Sequence, residues 1–514
     1  MTAPPRGAAA AIARCAEERQ ETTPYLDALR RHAARETTRL HVPGHKGGAA
    51  ADPALRDLLG ERALLADLPL LLEGIDLGPG PTPFEGARRL AAEAWGAART
   101  WLLAGGATQA NQAACLLLLG AGGPVVVQRS AHSSTLGALL AYGIEPVFVR
   151  PEVDAALGIA HGVTPGSVER ALARTPGAAG VAIVSPTYYG AVADVSGIAR
   201  VAHEHGVPLL VDEAWGSHLA FHPDLPAHAL ACGADLVVSS PHKTLGSLTG
   251  SALLHLGHGA TAPATEERVD RALALISSTS PSSLLLASLD AARRRAAVHG
   301  PELLGGLLEG LAAIRHALCD LPGIRVLDAS AEGRPGCHAV DPLRLTVGVG
   351  ATGLTGYEVA RRLRRHEAIE LELAGPRVVV ASFGLGERPG PSGARLVEGL
   401  SRALADVPAP EAIAPPSAQG QPSFGPLVLS PSRAYLGHRE TVPVERAAGC
   451  VCAETLAPYP PGVPLALPGE RLTPEVLGAL VSAVAQGATI RGASDPRLAC
   501  VQVVAWPGLA AGRH

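Results

Sequence analysis

Asp235-Leu-Val-Val-Ser-Ser-Pro-His-Lys-Thr-Leu-Gly-Ser-Leu-Thr-Gly250 begins as a short apolar run and stops abruptly in polar residues. A second run of the same kind, Pro208-Leu-Leu-Val-Asp212, leads into Glu213-Ala-Trp-Gly-Ser-His218. Both read as buried strands that end at one edge of a sheet. One delivers an acid, Asp212, and the other an amine, Lys243, flanked by Ser240 and His242. Working outward, further strands are predicted at Pro124–Gln128, Pro146–Arg150, Gly180–Ser185 and Ser251–Leu256. Amphipathic segments such as Val195–His205 lie between most of them, with Gly206 as a helix stop. Continuous apolar strands separated by helices predict an α/β fold with a mostly parallel sheet covered on both faces. Ligands of such sheets bind at the carboxyl ends of the strands, where Asp212, Lys243, His132 and Thr187-Tyr-Tyr189 fall.

The chain has 514 residues, too many for one core, so two or three domains are expected. With 47% apolar residues it can bury a substantial interior, and a net charge of −4 gives no general reason to expect nucleic acid or an anionic membrane as partner. Eight cysteines without CxxC spacing fit reduced thiols better than a disulfide framework or a zinc site. Cys450 and Cys452 read as alternate positions on a strand. The N-terminus lacks the hydrophobic region of a secretory signal, and no window reaches the ~18 apolar residues of a membrane span. The expectation is a soluble, cytoplasmic protein. Residues 1–40 read as a polar helical arm, 41–295 as a large domain, 296–407 as a small α/β domain, 408–424 as a linker and 425–514 as a C-terminal domain. The large domain should close with a helix over Pro281–His299.

A Schiff-base amine and a carboxylate that keeps a pyridine nitrogen protonated are the two protein groups pyridoxal phosphate (PLP) needs as an electron sink. Lys243 and Asp212 supply both. Ala104-Gly-Gly-Ala-Thr-Gln-Ala-Asn-Gln112 is a glycine-rich turn opening a helix, with Thr108 as its cap, and its free amides form an anion cradle for a phosphate. Ser240 is the expected second phosphate ligand. His132, after another strand, is placed to stack on the pyridine ring, and His242 to contact phosphate or a substrate carboxylate. His41 and His45 flank Pro43-Gly44, which breaks the helix that an i, i+4 metal pair would need, so no metal is expected.

His41-Val-Pro-Gly-His-Lys-Gly-Gly48, Ser239-Ser-Pro-His-Lys-Thr-Leu245, Ser277-Ser-Thr-Ser-Pro-Ser-Ser283 with Ala287-Ser-Leu-Asp290, and Leu354-Thr-Gly-Tyr-Glu358 resemble motifs of the ornithine/lysine/arginine decarboxylase family. Ala457-Pro-Tyr-Pro-Pro-Gly-Val-Pro-Leu465 and Pro468-Gly-Glu470 resemble its C-terminal domain. The likeness runs in order from about residue 22 to about residue 505. It implies fold-type I (aspartate aminotransferase-like) architecture, PLP, and a homodimer with active sites at the subunit interface. By that resemblance Lys243 is the Schiff-base lysine, Asp212 pairs with the ring nitrogen, and His132 stacks on the ring. Thr108, Ser240 and the backbone of Ala107 hold phosphate; Ala214, Trp215 and His242 line the pocket; Thr279 or Ser280 reaches the neighbouring subunit's phosphate. Ala107, Ser133 and Pro241 stand where the family usually has a hydroxyl, a lysine and a threonine. The length matches the short members, without the N-terminal wing domain.

The activity so implied is α-decarboxylation of a basic amino acid, arginine first, then lysine or ornithine. Glu470, Glu73 and Asp76 are candidates for reading the substrate's distal cation, and His45 for a further substrate contact. An aminotransferase or PLP oxidase would use the same lysine, acid and phosphate set. A catalytically inactive partner or regulatory paralogue is the reading from another class.

Overall fold

The computed structural model describes residues 19–405, 424–459 and 463–505. All of the expected linker except Phe424, and the first half of the N-terminal arm, lie outside them. Seven strands are used below, the six predicted ones and β1: β1 (Arg99–Leu103), β2 (Val125–Gln128), β3 (Pro146–Val149), β4 (Gly180–Val184), β5 (Leu209–Glu213), β6 (Leu236–Ser239) and β7 (Ala252–Leu256). The helices used below are α1 (Pro24–Ala33), α2 (Gly106–Leu119), α3 (Ser133–Tyr142), α4 (Pro241–Thr244) and α5 (Ser283–Cys319). Two compact units are present. Among the described residues, the first draws on 19–117, 208–307 and 384–387, the second on 118–207, 308–383 and those from 388 onward.

In the first unit the strand order is β1-β7-β6-β5. β5 and β6 are parallel, with Asp212 opposite Val238 and Glu213 opposite Ser239. β7 runs antiparallel to both β6 and β1. Every residue of β5, β6 and β7 is buried, which is why these strands read as unbroken apolar runs. β1 escaped the sequence reading because Arg99-Thr100-Trp101 does not look like a core strand. Helix α1 is capped from a distance. Asp290 accepts hydrogen bonds from the Tyr25 and Leu26 amides at 3.0 and 3.3 Å, and Arg293 holds Asp290 at 2.6 Å while donating to the Gln20 and Thr22 carbonyls. The Ala287–Asp290 motif therefore serves the fold.

Helix α5 runs on to Cys319, twenty residues past its expected end at His299, through Gly300 and Pro301. An interior proline costs about 3 kcal/mol. Against that, Leu304, Leu307, Leu311, Ile314 and Leu318 repeat every three or four residues and are all buried, so burial outweighs the break. Gly300 is needed there because a Cβ would sit 2.9 Å from the Cβ of Phe221.

In the second unit β4-β2-β3 form a parallel set. A separate antiparallel sheet joins Arg325–Val326, Arg344–Gly348, Val378–Ser382 and Leu373–Ala374 in that order. The C-terminal segment builds its own core from Val442, Leu456, Leu472, Leu480, Ile490 and Val501. Cys450 and Cys452 lie outside any regular strand, at a bend and at an isolated bridge to Val503. The seven cysteines among the described residues are free thiols.

Candidate active site

Parallel pairing of β5 and β6 puts their carboxyl ends side by side, and both strands deliver chemistry there. Asp212, 5% exposed, accepts a hydrogen bond on Oδ2 from Nδ2 of Asn111 at 2.8 Å and on Oδ1 from the Ala214 amide at 3.1 Å. Beyond β6 the chain turns at Ser240 into the single turn of α4, with Pro241 in its first position. Proline costs no hydrogen bond at a helix start, so its presence there is compatible with the turn that presents His242 and Lys243. Nζ of Lys243 lies 4.0 Å from the centre of the Trp215 ring, a cation–π placement. Nδ1 of His242 meets the Ser251 carbonyl at 2.7 Å, which puts the proton on Nδ1. Burial, aided by the positive Lys243, holds the His242 pKa below its usual value despite that bond.

The glycine-rich turn expected to cradle a phosphate opens α2. Gly106 opens the helix with φ of 68°, a left-handed conformation that disfavours a side chain. Ala107 and Thr108 follow in the first turn; Thr108 is the third residue of the helix, not its cap. Gln109 accepts from the Gly105 amide at 3.0 Å and donates to Oγ of Ser277 at 2.8 Å, tying the turn to the serine-rich loop. Thr108, Thr279 and Ser280 line one cavity of about 630 Å³. Ser240 is fully buried, and its hydroxyl has no hydrogen-bond partner among the described residues. An unmet buried hydroxyl beside the lysine turn, a glycine-opened helix start and a buried carboxylate on neutral donors fit PLP.

His45 sits in the first unit with Nε2 3.1 Å from Asp67. Glu73 is exposed, and Asp76 accepts from Oγ1 of Thr82 at 2.7 Å while burial raises its pKa. Among the described residues no group of three or more His, Cys, Asp or Glu side chains is arranged for a metal.

In the second unit His132 caps α3: the Ser134 amide donates to its Nδ1 at 3.1 Å, placing any neutral-ring proton on Nε2. Its ring lies 6.5 Å from that of Tyr188, and both line a cavity of about 360 Å³ with Phe148, Leu467 and Pro468. The Tyr188 carbonyl is gripped by Arg344 at 2.7 and 3.2 Å, and that of Tyr189 by Thr346 at 2.8 Å. Glu470 is 3.0 Å from Arg129 and also accepts from the Leu467 amide at 2.8 Å. The Arg129 guanidinium lies between the rings of Phe148 and Phe424, at 4.9 and 4.3 Å. The carboxylate that sequence reading offered to a substrate cation already faces a guanidinium in its own chain. Sequence reasoning overlooked Asn111, Arg129 and Arg344. Only Asn111 left a local signal, one helical turn after Thr108.

A carboxylate and a lysine at the ends of adjacent strands, beside a helix-borne anion cradle, define a PLP enzyme. The backbone matches that of the lysine decarboxylase LdcF of Francisella novicida with a TM-score of 0.79 at 20% identity, covering 95% of this chain and 82% of that one, and the architecture is fold type I. Residues 23–332 match the major domain of the Orn/Lys/Arg decarboxylases, and residues 426–483 match their C-terminal domain. The chain is 35% identical over 485 residues to the arginine decarboxylase of Bacillus subtilis (strain 168), covering 94% of this chain and 98% of that protein. It is likewise 35% identical to the arginine decarboxylase of Halalkalibacterium halodurans, with 95% and 98% covered. The chain belongs to the Orn/Lys/Arg decarboxylase family and is a PLP-dependent carboxy-lyase. Among the described residues no helix is long and apolar enough to cross a membrane.

Proposed function

We propose that the chain decarboxylates arginine at Cα, with lysine and ornithine as the next candidates, and that it works as a homodimer. The observation that carries the reading is the placement of Asp212 near the carboxyl end of β5 and of Lys243 in the turn that follows the adjacent parallel strand β6; similarity to arginine decarboxylases supports the choice of substrate. Bound there, PLP supplies an electron sink for the pair released when the Cα–carboxylate bond breaks.

The chain's own residues do the rest. Lys243 would hold PLP through Nζ, at the place where the substrate amine would react. Asp212 would take the ring nitrogen and, through its charge, would favour the protonated form of it. Thr108, Ser240 and the Ala107 amide hold phosphate, Ala214 and Trp215 wall the site, and His132 covers the ring. Thr279 and Ser280 act toward the partner's phosphate. His242, with its proton on Nδ1 and its pKa lowered by burial, is held as the neutral ring and so carries no imidazolium proton to return. Return of a proton to Cα is therefore assigned to Nζ of Lys243. The division into a PLP-binding domain over 41–295, a small domain over 296–407 and a C-terminal domain over 425–514 belongs to the same proposal.

The test is to supply PLP with arginine, lysine or ornithine and measure CO₂ and amine. Arginine should give both at the highest kcat/KM. A keto acid without CO₂ would move the assignment to transamination or oxidation, and absence of PLP binding would favour an inactive paralogue.

A further inference from the structure

We propose that Asn111 is a positioning residue for the ring-nitrogen acid: its side-chain amide fixes the carboxylate of Asp212 and, through α2, sets that carboxylate's distance from the phosphate cradle. The proposal rests on the reading of Asp212 and Lys243 as a PLP site.

Asn111 is fully buried, and its Nδ2 donates to Oδ2 of Asp212 at 2.8 Å across 101 residues of sequence. Asparagine is a poor choice for a helix interior by propensity, and a buried amide is costly unless it is bonded. Its neighbours Ala110, Ala113 and Ala114 are the small apolar residues expected of a helix buried at that face. The polar side chain at this one position therefore points to the carboxylate it meets.

The chemistry of the donor matters as much as its place. A lysine or arginine at position 111 would hold Asp212 as firmly but would also cancel its charge. An amide orients the carboxylate and leaves the field of a full negative charge for the pyridine N–H. Cys115, one turn further along α2 and fully buried, adds no charge of its own, because burial and Asp212 together push its thiol up to about 12.

Spacing supplies the second half of the argument. Thr108 and Asn111 are three residues apart, so they share a face of α2 about one turn apart. One rigid helix thus carries a phosphate ligand at its start and the orienting amide of the acid a turn later. A cofactor whose phosphate and ring nitrogen are held from the same helix is fixed at both ends by a single element, and small errors there matter to catalysis.

The experiment titrates PLP into the apoenzymes of wild type, Asn111→Ala, Asp212→Asn and the double variant, following absorbance of the bound cofactor, with kcat, KM and apoenzyme melting measured alongside. Asn111→Ala should weaken PLP binding about 10- to 100-fold and lower kcat in step, the scale on which loss of an outer hydrogen-bond partner acts at metal sites. KM for the amino acid should change little. In the Asp212→Asn background the same alanine should cost little more, because Asn111 acts through Asp212. Asn111→Asp puts two carboxylates side by side, where both cannot be charged cheaply; PLP affinity should then change with pH differently from wild type. Unchanged PLP affinity in a normally melting Asn111→Ala protein, or an equal loss with and without Asp212, would overturn the proposal. Should the alanine variant not fold, Asn111→Ser, which keeps a shorter donor, and Asn111→Asp decide it by the same two readouts. Wild type that neither binds PLP nor releases CO₂ would remove the PLP reading itself; wild type that does both while the Asn111 variants match it removes only the role of Asn111.

Discussion

At the carboxyl edge of β5 and β6, Asp212 is buried against two neutral N–H donors, whereas in the C-terminal part of the second unit Glu470 is buried against a guanidinium. Both carboxylates are almost inaccessible, at 5% and 3% exposure. Yet they are built for different ends. Glu470 pairs with Nη2 of Arg129, while Nε and Nη1 of that guanidinium meet no hydrogen-bond partner among the described residues and the rings of Phe148 and Phe424 lie about the cation; a charge pair of that kind holds structure together. Asp212 is instead oriented by the amides of Asn111 and Ala214, neutral donors that leave a carboxylate's charge for a cationic group arriving from outside. Neutral partners around a buried charge are thus a better mark of chemistry than burial alone.

The largest expected effect tests the reactive side of this contrast. Lys243→Ala should bring CO₂ release below detection while secondary structure by circular dichroism is kept; undiminished turnover would remove the lysine from its assigned role. Next, Asp212→Asn should cost about 100-fold or more in kcat, the scale on which poised acids and bases act, with little change in unfolding free energy. Arg129→Ala should do the reverse in stability. By leaving Glu470 buried and alone it should cost about 3–5 kcal/mol in urea unfolding, and Arg129→Met with Glu470→Gln should recover most of that. If Asp212→Asn destabilised the protein as much as Arg129→Ala, the contrast would collapse.

The smallest effect concerns pH. His255 is fully buried, with Nδ1 2.8 Å from Oγ1 of Thr100, and burial together with the nearby His228 lowers its pKa to about 3. In the unfolded chain it takes up a proton near pH 6.5 and in the folded chain it does not, so stability falls as pH drops below that value. From pH 6.5 to 5 the loss is about 2 kcal/mol from this group. Urea midpoints measured across that range should decline, and less steeply in His255→Asn. A slope unchanged by that substitution would assign the acid sensitivity elsewhere.

Much of the architecture was legible because it is locally encoded. The runs around Val125, Val181, Leu210, Val237 and Leu253 are continuous and apolar, and each became a buried strand within a residue or so of its expected bounds. The family motifs likewise lie in short stretches, and the two that decide the cofactor sit directly after such strands. What was missed depends on distant partners. The length of α5 was misjudged because Gly300-Pro301 signals a stop locally, while the leucines that override it gain only from burial. β1 is a strand because β7 pairs with it, not because Arg99-Thr100-Trp101 demands one.

The amino-acid sequence by itself determined the α/β pattern, the lysine and the acid proposed for the PLP site, and the family to which the chain belongs. Only the tertiary structure decided what each buried charge faces. Asp212 meets Asn111 across 101 residues and Glu470 meets Arg129 across 341, and electrostatic roles are set by such through-space neighbours. Local sequence can predict that a carboxylate is buried; whether its charge is kept for chemistry or matched for stability depends on where the rest of the chain has folded.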